Sequence, residues 1–225
     1  MNNSSKISRC LVILSGEAGL ERLVQNGCSS VEVWPDFSSY DFVIAADRGQ
    51  IIARDLGIIP DVLVGDFDSS PRPDSTSAAE IVVFPREKAF TDSQAAIDLA
   101  FERGWREIDV LGGLSGRLDH TMGNLGILAK YSGRARIQFF DGLNIVTMLH
   151  PGSHLMNARG YRYLGLIAYG EAVRGLTLRG TLYEVTDFTL PPDTTRGVSN
   201  EITSDPASLS FREGRLLAIN SRDPG

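Results

Sequence analysis

Up to Phe140, short apolar runs alternate with stretches of helical periodicity, and this alternation constrains the fold more than any other feature. The runs are rich in β-branched and aromatic residues and mostly lack polar alternation, as is typical of strands buried on both faces. They are Cys10–Leu14, Asp41–Ala45, Asp61–Val64, Glu80–Phe84, Ile108–Leu111 and Ile137–Phe140. The intervening stretches predict helices over Glu17–Gln25, Gly49–Leu56, Asp92–Arg103 and Leu118–Tyr131. Alternating strands and helices predict parallel βαβ units, and hence a doubly wound, mostly parallel sheet.

After Asp141 the pattern changes to short strands separated by turn residues, without helical periodicity. The predicted strands are Asn144–Leu149, Tyr161–Ala168, Leu176–Leu178, Thr181–Val185, Ser208–Arg212 and Arg215–Ile219. Short strands at close spacing are typical of an antiparallel β-sandwich. We therefore predict an α/β domain over residues 1–141, followed by a β-sandwich domain over residues 142–225.

Charge and composition limit the classes of partner. The chain of 225 residues is 42% hydrophobic, as expected for a protein with a buried core. Its formal net charge of -6 argues against a nucleic-acid binder, which needs a cationic surface. One bound nucleotide stays compatible with this charge, because a metal ion can dominate the local field.

The apolar runs and the cysteines indicate the cellular setting. No run approaches the roughly 18 apolar residues that a membrane-spanning helix needs, so we expect no membrane partner. Cys10 and Cys28 have neither metal-ligand spacing nor the pattern of a disulfide framework. We therefore expect a reducing, cytoplasmic location.

Acidic residues follow two neighbouring predicted strands, at the edge where open parallel sheets bind ligands. Asp47 follows the first of these strands, and Asp66 and Asp68 follow the second. In extended backbone, residues two apart point the same way, so Asp66 and Asp68 would converge and suit Mg²⁺. The alternative is a solvated acidic turn, or a helix cap at Asp68.

A third cluster, residues 88–94, follows the predicted strand Glu80–Phe84. Asp92 falls in the first turn of a helix for which Thr91 is a suitable N-cap. Capping alone explains an acidic residue there, because the helix dipole favours negative charge. A carboxylate beside Asp66 and Asp68 would instead complete a three-carboxylate metal site, with Lys88 as a point charge for phosphate.

The fourth cluster is a glycine-rich loop between a predicted strand and a predicted helix, over residues 112–124. Such a loop lets backbone N–H groups approach an anion, and Arg117 at the helix start can hold phosphate oxygens as a fork. Asp119 and Asn124 could both face the loop mouth, and His120 shares a helix face with Asn124. The alternative is a tight turn in which Asp119 caps the helix and His120 is a surface histidine. The spacing fits neither the P-loop nor the Rossmann fingerprint.

Together these motifs resemble those of the thiamine pyrophosphokinase family. In chain order they read Ala-Ala-Asp-Arg-Gly (45–49), Gly-Asp-Phe-Asp-Ser (65–69), Lys-x-x-Thr-Asp (88–92) and Gly-Gly-Leu-Ser-Gly-Arg-Leu-Asp-His (112–120). Gly-Val-Ser-Asn-Glu (197–201) is similar to the family's thiamine-side motif. The resemblance covers nearly the whole chain, and it implies an α/β domain followed by a β-sandwich.

The resemblance implies a magnesium-dependent transfer of pyrophosphate from ATP to thiamine, with thiamine and ATP as ligands and a homodimer with its active site at the interface. It implies three metal ligands, Asp66, Asp68 and Asp92. The implied catalytic residues are the same three with Arg117 and Asp119. The implied ATP-binding residues are Asp47, Lys88, Thr91, Gly113, Arg117, His120 and Asn124. Ser199 and Asn200 would approach thiamine, in the cleft of either chain of the dimer.

Three departures from the family pattern bear on the site. Ala89 replaces a common aspartate, and Arg48 stands where glycine is frequent. The last predicted strand lacks the aromatic residue that some members stack on thiamine. These departures concern thiamine binding more than the type of reaction.

Two other functions stay open from the residues. A magnesium phosphohydrolase also uses Asp-x-Asp after a strand, with Asp66 as a covalent nucleophile, but this leaves the glycine-rich loop unexplained. A non-catalytic nucleotide- or thiamine-binding module would bind without turnover.

Overall fold

A computed structural model describes residues 8–15, 36–67, 78–85, 87 and 89–223. The predicted helix Glu17–Gln25 and the residues Cys28, Asp68 and Lys88 lie outside this described part. Among the described residues, no helix is both long and apolar enough to cross a membrane.

The described part contains fourteen strands and three α-helices. The strands are β1 Cys10–Ile13, β2 Phe42–Ala46, β3 Val62–Gly65, β4 Glu80–Val83, β5 Glu107–Leu111, β6 Arg136–Phe140, β7 Asn144–Leu149, β8 Gly152–Met156, β9 Tyr163–Ala168, β10 Val173–Arg179, β11 Val185–Leu190, β12 Asn200–Glu201, β13 Ala207–Phe211 and β14 Leu216–Ser221. The helices are α1 Gly49–Asp55, α2 Asp92–Glu102 and α3 Leu118–Tyr131.

Ten strands form one large sheet in the order β12-β9-β14-β7-β6-β5-β1-β2-β3-β4. The six strands from β4 to β6 are parallel to one another, which confirms the predicted parallel sheet. Helices α2 and α3 pack on one face, and α1 packs on the other. The sheet is therefore doubly wound. Because successive strands run outward from β1 until the chain returns to β5, the direction of winding reverses between β1 and β5.

The other four strands form an antiparallel sheet in the order β11-β10-β13-β8. This sheet packs on β9 and β14 of the large sheet through a shared apolar core that includes Leu164, Leu209 and Leu216. The predicted antiparallel β-sandwich is confirmed. One of its layers is the continuation of the large sheet, because β6 and β7 pair as antiparallel neighbours across Asp141.

Two short segments of the sandwich differ from the sequence prediction. The strand expected over Thr181–Val185 is wrong, since β11 begins only at Val185. Both backbone polar groups of Tyr183 bond instead to the side chain of Asn200, and before Val185 the only pairing of this segment in the described part is an isolated bridge between Thr181 and Ile202. Strand β8 is missing from the predicted strands, because Gly152 and polar residues conceal an edge strand that, in the described part of the chain, pairs with β13 alone.

Candidate active site

The predicted site residues of the α/β half follow the carboxyl ends of parallel strands. Asp47 follows β2, Asp66 follows β3, and Gly113 follows β5. Since the carboxyl ends of parallel strands meet at one edge, the fold brings these positions to the same side of the sheet. Gly113 lies beside the reversal point between β1 and β5, where such sheets bind their ligands.

Close backbone contacts join the ends of β1, β2 and β3. The Asp47 N–H donates to the Val64 carbonyl at 2.7 Å, and Asp47 adopts a left-handed φ of 45°. A Cβ atom at Gly49 would lie 2.2 Å from the Ile13 carbonyl oxygen, so only glycine lets α1 begin this close to β1. Asp47 is thus held in a conformation that is uncommon for residues other than glycine, as is frequent at functional sites.

Asp66 is half-buried at the turn after β3. Phe67 packs against the core on the α1 side of the sheet, but its φ of 53° is left-handed. The assumption of extended backbone through this motif is therefore wrong, because a left-handed residue bends the chain directly after the strand. Strand alternation consequently does not fix the direction of Asp68, which lies outside the described residues, relative to Asp66.

Thr91 and Asp92 begin α2 as the sequence predicts. The Thr91 hydroxyl oxygen accepts the Gln94 N–H at 3.2 Å and caps the helix. Asp92 is half-buried in the first turn, and α2 packs under β1, β2 and β3. The Thr91 hydroxyl oxygen is thus engaged by the helix backbone, whereas the Asp92 carboxylate lies in the first turn of the helix.

The donor chemistry at this edge suits a hard cation. Asp66 and Asp92 are half-buried carboxylates, and carboxylate oxygens are the ligands that Mg²⁺ prefers. Among the described residues, no three His, Cys, Asp or Glu side chains group closely enough to hold a metal ion. Two of the three predicted ligands thus fit the ion chemically, and the third, Asp68, lies outside the described part.

The glycine-rich loop is fixed from below by Asn124. This side chain is only 4% exposed, and its Nδ2 donates to the Gly113 carbonyl at 2.7 Å. Gly113 has a φ of 78°, and a Cβ there would lie 2.7 Å from Asn124 Nδ2. Asn124 therefore orients the loop from beneath, instead of facing its open mouth as the sequence suggested.

Arg117 and Asp119 form an exposed ion pair at the start of α3. The guanidinium bonds both carboxylate oxygens, with Arg117 Nε 3.1 Å from Asp119 Oδ1, and the His120 N–H donates to the same oxygen at 3.0 Å. The hydrogen bond from Arg117 lowers the pKa of Asp119, and the same bond raises the pKa of Arg117. An arriving phosphate would find this fork already aligned by a carboxylate.

The thiamine-side motif lies in the sandwich. Ser199 is exposed and has a left-handed φ of 60°, whereas Asn200 is only 6% exposed. Asn200 Oδ1 accepts the N–H groups of Tyr183 and Glu201, and its Nδ2 donates to the Tyr183 carbonyl, each at 2.9 Å. The amide of Asn200 is thus engaged by backbone. No sequence pattern singles out Tyr183, whose 65% exposed ring lies beside the motif because the Asn200 amide bonds its backbone.

The two halves of the candidate site lie far apart within one chain. Strands β6, β7, β14 and β9 separate β5 from β12, which begins at Asn200. At about 4.8 Å per strand interval, the separation is about 24 Å. Ser199 is therefore not beside the glycine-rich loop of its own chain.

Comparisons with known families and structures agree with this architecture. A family model described as the catalytic domain of thiamin pyrophosphokinase matches residues 35–139, and one described as its vitamin B1 binding domain matches residues 153–216. A thiamine pyrophosphokinase of Bacillus subtilis is 31% identical over 199 residues, which cover 84% of this chain and 93% of the relative. Thiamin pyrophosphokinase 1 of Caenorhabditis elegans is 26% identical over 223 residues, covering 88% of this chain and 91% of its own.

Solved structures give the same result. The crystal structure of the Bacillus subtilis thiamine pyrophosphokinase superposes with a TM-score of 0.81 at 27% identity, covering 96% of this chain and 100% of the other. A thiamin pyrophosphokinase family protein from Enterococcus faecalis superposes with a TM-score of 0.82 at 28% identity, with the same coverage. The chain belongs to the thiamine pyrophosphokinase family.

Proposed function

We propose that this chain transfers a pyrophosphoryl group from ATP to the hydroxyl of thiamine, which yields thiamine diphosphate and AMP. The observation that carries the proposal is the match of both halves of the chain to the two thiamine pyrophosphokinase family models. The chemistry of the sheet edge agrees with it, since half-buried carboxylates, a glycine-rich loop and an arginine fork follow neighbouring parallel strands.

The main work of the site is to align and neutralise phosphates, because a hydroxyl must approach a polyanion. Asp66, Asp68 and Asp92 would hold Mg²⁺, which supplies charge stabilisation to the transferred group. Arg117 would exchange its bond with Asp119 for phosphate oxygens, and the loop that Asn124 supports would present Gly113 to them. Asp47, Lys88, Thr91 and His120 complete the proposed ATP-binding set.

The thiamine hydroxyl must lose a proton as it attacks the β-phosphorus of ATP. Asp119 and Asp92 are the proposed acceptors. Asp119 suits the task once a phosphate draws Arg117 away, because its carboxylate then lacks the partner that lowers its pKa. The cationic thiazolium ring of thiamine also favours an acidic cleft.

A homodimer would bring the two halves of the site together. Because Ser199 is about 24 Å from the strand that carries the loop, we propose that it approaches thiamine in the cleft of a second copy. Asn200 would act by holding the Tyr183 segment. The division into a catalytic domain over residues 1–141 and a thiamine-binding, dimerising domain over residues 142–225 stays a proposal, as does the cytoplasmic location.

The test is to incubate the purified protein with ATP, Mg²⁺ and thiamine, and to quantify AMP and thiamine diphosphate. We expect equal amounts of both, abolished by EDTA and by Asp92→Asn. The matched control is Asp98→Asn. Asp98 lies further along α2, where its carboxylate accepts hydrogen bonds from Lys130 and Tyr131. Inorganic phosphate as the product would support the phosphohydrolase, and binding of ATP without AMP release would refute the proposed transfer.

A further inference from the structure

A cavity of about 670 Å³ lies at the edge of the large sheet opposite to the glycine-rich loop. Glu107 and Arg136, the first residues of the parallel strands β5 and β6, line it together with residues of β7 and β8. The candidate active site follows the other ends of these strands, and a strand of five residues spans about 16 Å. The volume is within the range of small-molecule sites.

The cavity collects positive charge in a chain whose formal net charge is -6. Its lining contains a single acidic residue, Glu107, in the described part of the chain, against the basic residues Arg106, Arg134, Arg136, Arg159, His150 and His154.

Ion pairs leave part of this charge uncompensated. Arg136 pairs with Glu107 at 3.0 Å and with the buried Asp109 at 3.5 Å, and Arg9 also pairs with Asp109 behind the cavity. Across the described ranges, no ion pair involves Arg106, Arg134 or Arg159. Three arginines of the lining therefore lack a carboxylate partner, although Arg106 donates to the carbonyls of Phe101 and Trp105 and Arg134 lies over the rings of Phe101 and Tyr131.

The guanidinium groups of Arg136 and Arg159 share one neutral hydrogen-bond acceptor. Gln138 Oε1 accepts from Arg136 Nη2 at 2.6 Å and from Arg159 Nη1 at 3.1 Å. Burial and the neighbouring Arg136 lower the pKa of Arg159. Arg159 also has a left-handed φ of 52°, which a residue other than glycine adopts mainly where the surrounding structure dictates it. An anion against this pair would relieve the repulsion between like charges.

The lining also indicates what kind of anion would fit. Guanidinium forks match phosphate oxygens in pairs, and three guanidinium groups without a carboxylate partner suit more than one negative charge. Ile145, Met148, Leu155 and Met156 provide an apolar wall for an organic moiety. We propose that this cavity binds a phosphorylated small organic molecule at a site separate from the catalytic edge.

The two phosphorylated products of the proposed reaction, AMP and thiamine diphosphate, are the probes. Each is titrated calorimetrically into the wild-type protein in EDTA, which suppresses metal-dependent binding at the other edge. We expect at least one to bind, and Arg134→Gln/Arg159→Gln to weaken it by about tenfold or more, since each charge-assisted contact contributes on this scale. Whether AMP or thiamine diphosphate binds shows which of the two products the cavity accepts.

Controls separate this site from the catalytic one. Arg117→Gln, in the candidate active site, and Arg174→Gln, at an exposed pair with Glu213, should leave the metal-free binding unchanged. Arg134→Gln alone keeps the test valid should the double variant not fold, because the Arg134 side chain only lies over the rings of Phe101 and Tyr131. The proposal is overturned by absent metal-free binding, by binding that survives the cavity variants, or by its loss in Arg117→Gln. None of these outcomes depends on turnover, so they are distinguishable from failure of the proposed function.

Discussion

Asn200, within the motif over residues 197–201, acts on the structure through its neighbours. Its buried amide satisfies the N–H and the carbonyl of Tyr183, while the adjacent Ser199 stays exposed. The motif therefore combines one side chain that is free to meet a ligand with one that fixes the local backbone. The two residues should respond differently to the same substitution.

We predict that Asn200→Ala lowers the free energy of unfolding by roughly 1–3 kcal/mol, the cost of leaving buried polar groups without partners. Urea denaturation followed by circular dichroism measures this. Ser199→Ala is the matched control, and it should change stability little because Ser199 is exposed. Equal stability of the two variants would contradict the assigned role of Asn200.

The pair Arg117–Asp119 makes a prediction about pH. Since the pair lowers the folded-state pKa of Asp119, the ionised form is favoured in the folded protein. The contribution of the ion pair to stability is present above the unfolded-state pKa of about 3.9. It is lost as the pH falls through the lower folded-state pKa. NMR titration of the carboxylate should show a pKa below the ordinary one, and Arg117→Gln should raise it. An unchanged pKa in Arg117→Gln would rule out the pair as its cause.

At the scale of elements, the loop between β5 and α3 depends on the contact between Gly113 and Asn124. Two glycines of this loop have similar backbone but different surroundings. A Cβ at Gly113 would meet Asn124, whereas one at Gly116 would meet no atom within 4 Å, although both have left-handed φ angles. The comparison of the two positions separates packing from backbone strain.

We predict that Gly113→Ala lowers kcat by about tenfold or more, because displacement of the loop misplaces the phosphates. Gly116→Ala should bear only the strain of a left-handed alanine, roughly 1–2 kcal/mol, with a smaller effect on kcat. Steady-state kinetics and thermal unfolding of both variants provide the test. Equal losses of kcat in the two would show that the contact with Asn124 is unimportant for turnover.

For the whole molecule, the large sheet separates the residues proposed to bind ATP from the thiamine-side motif. Within one chain, four strands lie between β5 and β12. This separation is the basis of the proposal that two chains each provide one half of the site. This arrangement can be tested by mixing two variants that are each inactive for a different reason.

We predict that Asp92→Asn and Ser199→Arg are each inactive, the second because it sets a cation against the thiazolium ring. Unfolded and refolded together in equal amounts, they should recover roughly a quarter of wild-type activity, since half of the dimers are mixed and hold one intact site. Each variant refolded alone is the control. No recovery, from samples shown to be dimeric, would place both motifs of a site in one chain.

The parallel half of the fold and the edge that carries the candidate site follow from the sequence alone. Buried parallel strands are continuous apolar runs, and helix α3 begins and ends where the periodicity predicts. Polar residues directly after such strands meet at one edge for any doubly wound sheet. Motif order then identified the family, which the comparisons confirm.

Which of those residues face outward and which support them depends instead on contacts between segments that are distant in the sequence. Asn124 and Asn200 resemble ligand-binding amides in the sequence, but contacts with backbone far along the chain engage them. Distant segments likewise determine the left-handed turn at Phe67, the edge strand β8 and the arginine-lined cavity beside β5 and β6. Local patterns predict local conformation, whereas the partner of a side chain depends on which strands the whole fold sets side by side.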